Sequence, residues 1–149
     1  MTAELEYRSR VEGHAFGFQQ AWWDSTQKAY LKDQGSSSDG GFLAGLRSST
    51  RWADLELLFR LLRGQGADVL VLSIPLDGPY MDFAGVSAAA RREYYRRLTD
   101  LAARYGLRCL TFEDTEYEPW LRLDPGHPSP KGWVALDQAL DEFYHDALP

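Results

Sequence analysis

From Thr50 onward the sequence switches repeatedly between a helical and an extended period, which limits the chain to folds in which helices and strands take turns. Trp52, Leu55, Phe59 and Leu62 share one helical stripe, with Ser49 or Thr50 as cap, Asp54 in the first turn and Gly64 as the stop. Asp68-Val-Leu-Val-Leu-Ser73, closed by Pro75, is a continuous apolar run of strand length. Ser87 opens a second helix whose Tyr94, Leu98, Leu101 and Tyr105 share a face, and Gly106 ends it before a second strand, Leu107 to Phe112. A third helix takes Ser129 as N-cap and Pro130 as its first residue, where the missing N–H costs nothing, and carries Trp133, Leu136, Leu140 and Phe143 on one stripe.

This order predicts an α/β sandwich in which strands 68–73 and 107–112 are parallel neighbours, because each crossover helix returns the chain to the same edge. Ligands in such sheets bind beyond the carboxyl ends of the strands. Pro75 to Asp82, Glu113 to Tyr117 and Asp124 to His127 are therefore expected on one rim. Two strands make a marginal sheet, and the first fifty residues show no convincing further strand. The expectation is a sandwich lacking its N-terminal strand or strands, with an exposed apolar sheet edge through which copies would self-associate. Upstream, residues 1–34 read as a helical segment bearing Phe16, Phe18, Trp22, Trp23 and Tyr30 as core or interface aromatics, and residues 35–48 as a flexible linker containing Gly35-Ser-Ser-Ser-Asp-Gly-Gly41. Residues 49–149 form the α/β region.

A net charge of −6 over 149 residues argues against a general nucleic-acid binder. The single cysteine, Cys109, excludes an internal disulfide and any multi-cysteine metal site and reads as a buried, inert thiol in an apolar run. No stretch has membrane-spanning length and no leader precedes the first helix, so the chain as written is expected to be neither anchored nor exported. The arginines at 91, 92, 96, 97, 104 and 108 fit either the solvated face of a helix or a surface for an anionic polymer such as a polyol phosphate.

The chemistry-bearing motif is Asp124-Pro-Gly-His127, which sets a carboxylate and an imidazole in the loop feeding the third helix. A serine hydroxyl is a poor nucleophile until a base takes its proton, and a histidine does so near neutral pH when a carboxylate holds its other nitrogen. His127 is the candidate base. Asp124, three residues earlier on a Pro-Gly turn, is the candidate orienting acid. His14 and His145 have no partner motif. A competing use of Asp77, Asp82, Asp114, Asp124 and His127 is to hold a hard metal ion such as magnesium or calcium.

Arg51-Trp-Ala-Asp-Leu-Glu-Leu-Leu58, the Ser73-Ile-Pro-Leu-Asp-Gly78 strand exit, the Tyr94-Tyr95 pair, and Asp124-x-x-His127 followed by Lys131-Gly-Trp133-x-x-x-Asp137-Gln occur together in order and spacing. From about Ser49 to Tyr144, and more weakly into the N-terminal helices, the chain thereby resembles the C-terminal portion of the DltD family of D-alanyl-lipoteichoic acid biosynthesis proteins. The resemblance implies a three-layer SGNH/flavodoxin-like sandwich and an acyltransferase or thioesterase site with a serine nucleophile beside Asp124 and His127. Asp77, Lys131 and Trp133 become substrate contacts, with no cofactor and no metal. It further implies D-alanine esterification of teichoic acids at the outer face of a bacterial membrane, with teichoic acid or a D-alanyl carrier and membrane proteins as partners. The sequence departs from the family in two places. The family's nucleophile lies on a Gly-Ser-Ser turn after a buried strand, whereas the segment before Ser36, Ser37 and Ser38 is polar. Asp77 stands where the family tends to have an uncharged amide. A non-catalytic C-terminal fragment that binds a partner or an anionic polymer is the alternative.

Overall fold

The computed structural model describes residues 37–119, 121–124 and 126–145, with backbone alone at Leu123 and Asp124; the expected N-terminal helical segment, with Trp22 and Trp23, lies outside them. They fall into two compact units, 37–116 and the segment from Tyr117 onward.

In the first unit the order is α1 (Asp39–Ser48), α2 (Arg51–Gly64), β1 (Leu70–Leu72), α3 (Gly78–Phe83), α4 (Ala88–Arg104), β2 (Arg108–Leu110) and a 3₁₀ turn at Glu113–Thr115. β1 and β2 pair in parallel, with Leu70 opposite Arg108, Val71 opposite Cys109 and Leu72 opposite Leu110, and Ser73 N–H extends the ladder to the Leu110 carbonyl at 3.0 Å. The mixed α/β class and the parallel pairing are as the periodicity predicts. The core is the inner face of α2 against α4 and one face of the strands. Phe59, Leu101, Ala102 and Leu107 are buried together, with Trp52, Leu55, Val69, Val71, Tyr105 and Cys109 packed on them. Val69 and Val71 alternate with Leu70 and Leu72, which is why one side of a three-residue strand faces this core. Burial pushes the Cys109 thiol up, against a hydrogen bond to Thr99.

Glycine ends three of these helices by one device. Gly66 (φ 69°), Gly85 (φ 83°) and Gly106 (φ 63°) take the left-handed conformation. In each case its own N–H and the next one bond back into the last turn, as in Gly106 to Ala103 O and Leu107 to Ala102 O, both 3.0 Å. The stop after α2 is thus Gly66; Gly64 is the last helical residue. Thr50 occupies the N-cap of α2 without a side-chain bond. Residues 39–48, expected within a linker, are helix α1: Ser38 Oγ accepts from Gly41 N–H at 3.2 Å, and Asp39 lies in the first turn. A cap and the apolar Phe42, Leu43 and Leu46 outweigh the glycine content there.

In the second unit β3 (Arg122–Asp124) and β4 (His127–Pro128) form an antiparallel hairpin that leads into α5 (Pro130–Tyr144). Ser129 caps α5 as predicted: fully buried, it accepts from Gly132 N–H at 3.1 Å, with Pro130 at the first helical position. The stripe is rotated from the expected one. Gly132 and Ala139 are buried and Leu136 and Phe143 half-buried, whereas Trp133 is 61% and Leu140 48% exposed. Gly132 decides the rotation, because any Cβ there would collide with the Leu121 carbonyl oxygen.

Candidate functional site

Beyond the carboxyl ends of β1 and β2, the first unit gathers a buried polar network. Arg91 on α4 is fully buried, its Nε on Glu116 Oε2 at 2.8 Å and its Nη1 on Asp82 Oδ1 at 2.8 Å and Val86 O at 2.6 Å. One turn on, Tyr95 donates to Glu116 Oε1 at 2.9 Å and accepts from Leu76 N–H at 2.7 Å. Burial foremost, and the Glu116 carboxylate after it, hold the Tyr95 phenol far above its ordinary value, so it stays a donor. Tyr94 lies 2.8 Å from Ser73 Oγ, hydroxyl to hydroxyl. Gly78 N–H reaches the Glu116 carbonyl at 3.1 Å, so the exits of both strands are joined through main chain as well. Phe112, which turns the chain out of β2, is left-handed (φ 49°), a conformation of cost about 1–3 kcal/mol for a residue with a side chain.

Asp77 lies in this network's neighbourhood as the N-cap of α3. It is 8% exposed and accepts from Tyr80 N–H at 2.9 Å, as a capping aspartate does. Two of the three expected rim segments, 75–82 and 113–117, are thus joined at Gly78 and Glu116. The arginine run is not a bare cationic stripe. Arg91 is interior, Arg92 pairs with Glu113, Arg96 with Glu93 and Asp100, Arg104 with Glu56 and Arg108 with Asp68. Arg97 bonds Leu46 O at 2.9 Å and lies 4.5 Å over the Trp52 ring. Sequence reasoning missed the network because Arg91 was read with its exposed neighbours. The i, i+4 spacing of Arg91 and Tyr95 on the Leu98 face was the available signal.

In the second unit the hairpin sets His127 opposite Asp124, backbone to backbone, across an irregular two-strand ladder. His127 is exposed and two residues from the buried cap Ser129, whose N–H bonds Leu121 O at 3.0 Å. The imidazole therefore stands on a short strand fixed at both sides, by the ladder and by the helix start. Lys131, in the first turn of α5, reaches Glu118 Oε1 at 2.5 Å and Pro119 O at 3.2 Å, and Trp133 presents an exposed ring beside it in sequence. Of the linker serines, Ser38 is the α1 cap, Ser37 places its carbonyl where a Cβ on Gly85 would fall, and Ser36 lies outside the described residues. Among the described residues no three His, Cys, Asp or Glu side chains gather as metal ligands, and no helix is long and apolar enough to cross a membrane.

The chain is 32% identical over 96 residues to Protein DltD of Bacillus subtilis (strain 168), covering 64% of this chain and 24% of that protein. To Protein DltD of Staphylococcus aureus (strain NCTC 8325 / PS 47) it is 30% identical over 133 residues, 89% of this chain and 32% of that protein. It spans about a quarter to a third of the length of these curated relatives. No solved structure matches it significantly. The family model for DltD protein matches residues 2–145, nearly the whole chain, and the chain belongs to that family.

Proposed function

We propose that this chain acts in the transfer of D-alanine to teichoic acids, through an SGNH-type acyl-ester site in which His127 is the base and Asp124 its orienting acid. The observation that carries this reading is the hairpin register, Asp124 opposite His127, in a chain of the DltD family. An acid fixed across a two-strand ladder suits the task of holding one tautomer of a neighbouring imidazole. His127 takes the proton of a serine hydroxyl as its oxygen bonds the D-alanyl carbonyl carbon. The same proton goes to the departing carrier as the old acyl bond breaks. A teichoic acid hydroxyl then gives its proton to His127, attacks the acyl-serine, and leaves as the D-alanyl ester while the serine regains the proton. Lys131 and Trp133, in the first turn beyond the hairpin, and Asp77 at the β1 exit are the proposed substrate contacts. The parallel pair β1–β2 with its crossover helix supports the wider SGNH/flavodoxin-like sandwich, and its outer edges, unpaired among the described strands, are the proposed route of self-association. In this reading the site works at the outer face of the membrane with a D-alanyl carrier and membrane proteins.

The test is the D-alanine ester content of lipoteichoic acid in Staphylococcus aureus whose DltD carries alanine at the histidine matching His127. Loss of the ester at normal protein level is expected; retained ester removes His127 from the mechanism.

A further inference from the structure

The hairpin that carries Asp124 and His127 is tied at its base to the first turn of α5. Pro128 has no N–H to give to the ladder, and the next N–H, that of Ser129, bonds the Leu121 carbonyl at 3.0 Å. Lys131 holds the same stem further back, at Glu118 Oε1 (2.5 Å) and Pro119 O (3.2 Å). Between these ties lies Gly132, buried, its N–H on Ser129 Oγ at 3.1 Å. A Cβ at this position would overlap the Leu121 carbonyl oxygen and stand 3.1 Å from Pro128 Cβ. Leu121 leads into β3, and Pro128 belongs to β4. Gly132 therefore lies against both stems at once, an approach that only a residue without a side chain allows. The ladder above it is short: beyond the Arg122–Pro128 pair comes Asp124–His127, with a register shift between them. A hairpin of this size is marginal alone, so its geometry depends on what seats it.

We propose that Gly132 is a positioning residue for the Asp124–His127 pair: by letting the main chain of α5 lie on both stems, it sets how closely the acid and the imidazole approach. This rests on the reading of Asp124 as the orienting acid of His127. A methyl group at 132 must push Leu121 and Pro128 off the helix start, and the stems part at their base. Neither side chain of the pair is altered, yet the imidazole loses the carboxylate that fixes its tautomer.

The experiment is nitrogen NMR of the isotopically labelled histidine rings in the intact protein, at a pH where imidazole is neutral, with His14 and His145 as internal references. In the unaltered protein His127 is expected in one tautomer, with its proton on the nitrogen facing Asp124. Asp124→Asn is expected to give a mixture of tautomers and Gly132→Ala the same mixture, with the other two rings unmoved. Two controls weaken α5 without touching this contact. Ser129→Ala removes the hydroxyl cap but keeps the N–H that bonds Leu121, and Ala139→Gly loosens the helix about 10 Å further along. Both are expected to keep the single tautomer, and mixing in either would reduce Gly132 to a merely structural role and overturn the proposal. A single tautomer retained in Gly132→Ala, while Asp124→Asn gives the mixture, strikes the positioning and leaves the pair standing. A tautomer indifferent to Asp124→Asn removes the acid from the reading of His127, and the positioning with it. A nuclear Overhauser effect between Gly132 Hα and the Pro128 ring is expected in the unaltered protein; its absence overturns the proposal even where Gly132→Ala does not fold.

Discussion

Replacing Arg91 by methionine probes a buried guanidinium that is bonded to Asp82, to the Val86 carbonyl and to Glu116. Its side chain is fully buried, and its partners differ: Glu116 has 7% of its side chain exposed, Asp82 50%. Removing the cation therefore takes from buried Glu116 the charge-assisted bond of Arg91 Nε and leaves the Tyr95 hydroxyl in place, while half-exposed Asp82 is solvated already. Breaking a buried pair from one side costs about 3–5 kcal/mol, a large part of the ~5–15 kcal/mol that holds a domain together. Asp82→Asn, by contrast, loses a half-solvated pair and costs at most about 1 kcal/mol. Urea unfolding followed by circular dichroism reads both. At a slope of about 2 kcal/mol per molar, Arg91→Met lowers the midpoint by about 2 M. The second substitution sharpens the test. Arg91→Met with Glu116→Gln removes the stranded carboxylate and recovers about 1–3 kcal/mol of the loss, a coupling that distant sites do not show. A cost below about 1 kcal/mol for Arg91→Met, or a double variant as unstable as the sum of the singles, would refute the argument that Glu116 depends on this cation.

Alkaline stability isolates Tyr95. Its folded pKa is raised, so its contribution is complete below the unfolded phenol value of about 10 and falls by about 1.4 kcal/mol per pH unit above it; Tyr95→Phe should lack that slope, and equal slopes in urea melts would contradict the assignment. At the acid end, Asp39 is held below its usual 3.8 by Ser87, first through the backbone N–H and then the hydroxyl, and its contribution is lost as pH falls through that lowered value. NMR titration of Ser87→Ala should show Asp39 moving back up, though not the whole way, since the backbone bond remains. Gly132→Ala should destabilise by about 1–3 kcal/mol, because its Cβ meets the Leu121 carbonyl. Gly45→Ala, in the middle of α1 with nothing within 4 Å, should stabilise by about 0.5–1 kcal/mol, and like signs in thermal melts would discount the close approach.

The parts of this fold that were legible in the sequence are those specified locally. β1, β2 and α4 follow from short apolar runs and from Ser87 and Gly106, whose roles need only a few neighbours to be recognised. Pro130 after Ser129 fixed the start of α5 for the same reason. Failures came where a distant contact decided. Four of the ten residues of Asp39–Ser48 are glycine or serine, and such composition reads as linker; the helix exists because Ser38 caps it and because Leu46 O receives both Trp52 Nε1 and Arg97 Nη1. The Trp133 stripe was misplaced because periodicity counts apolar residues, whereas burial on α5 is set by the one position, Gly132, that can lie against another main chain.

The candidate site was legible in the same uneven way. Asp124 and His127 are close in sequence, so a turn between them could be read directly, and the hairpin register agrees with it. Arg91 could not be read so, because an arginine in a run of arginines looks solvated until the carboxylate that pairs with it is known, and Glu116 is 25 residues away. Burial of a charge is a statement about its partners, not its type. The same distinction separates the arginines of α4 from one another. Arg96 lies between Glu93 and Asp100 on its own helix, a pairing that spacing predicts. Arg91 is bound to Asp82 and Glu116, one on each side of α4 in the sequence, so its charge joins the two strand exits that any ligand of this sheet would approach. The guanidinium of Arg91 is thus matched to the loops it holds, and lysine, with a single ammonium in place of separate Nε and Nη1 donors, could not serve both carboxylates in the same geometry.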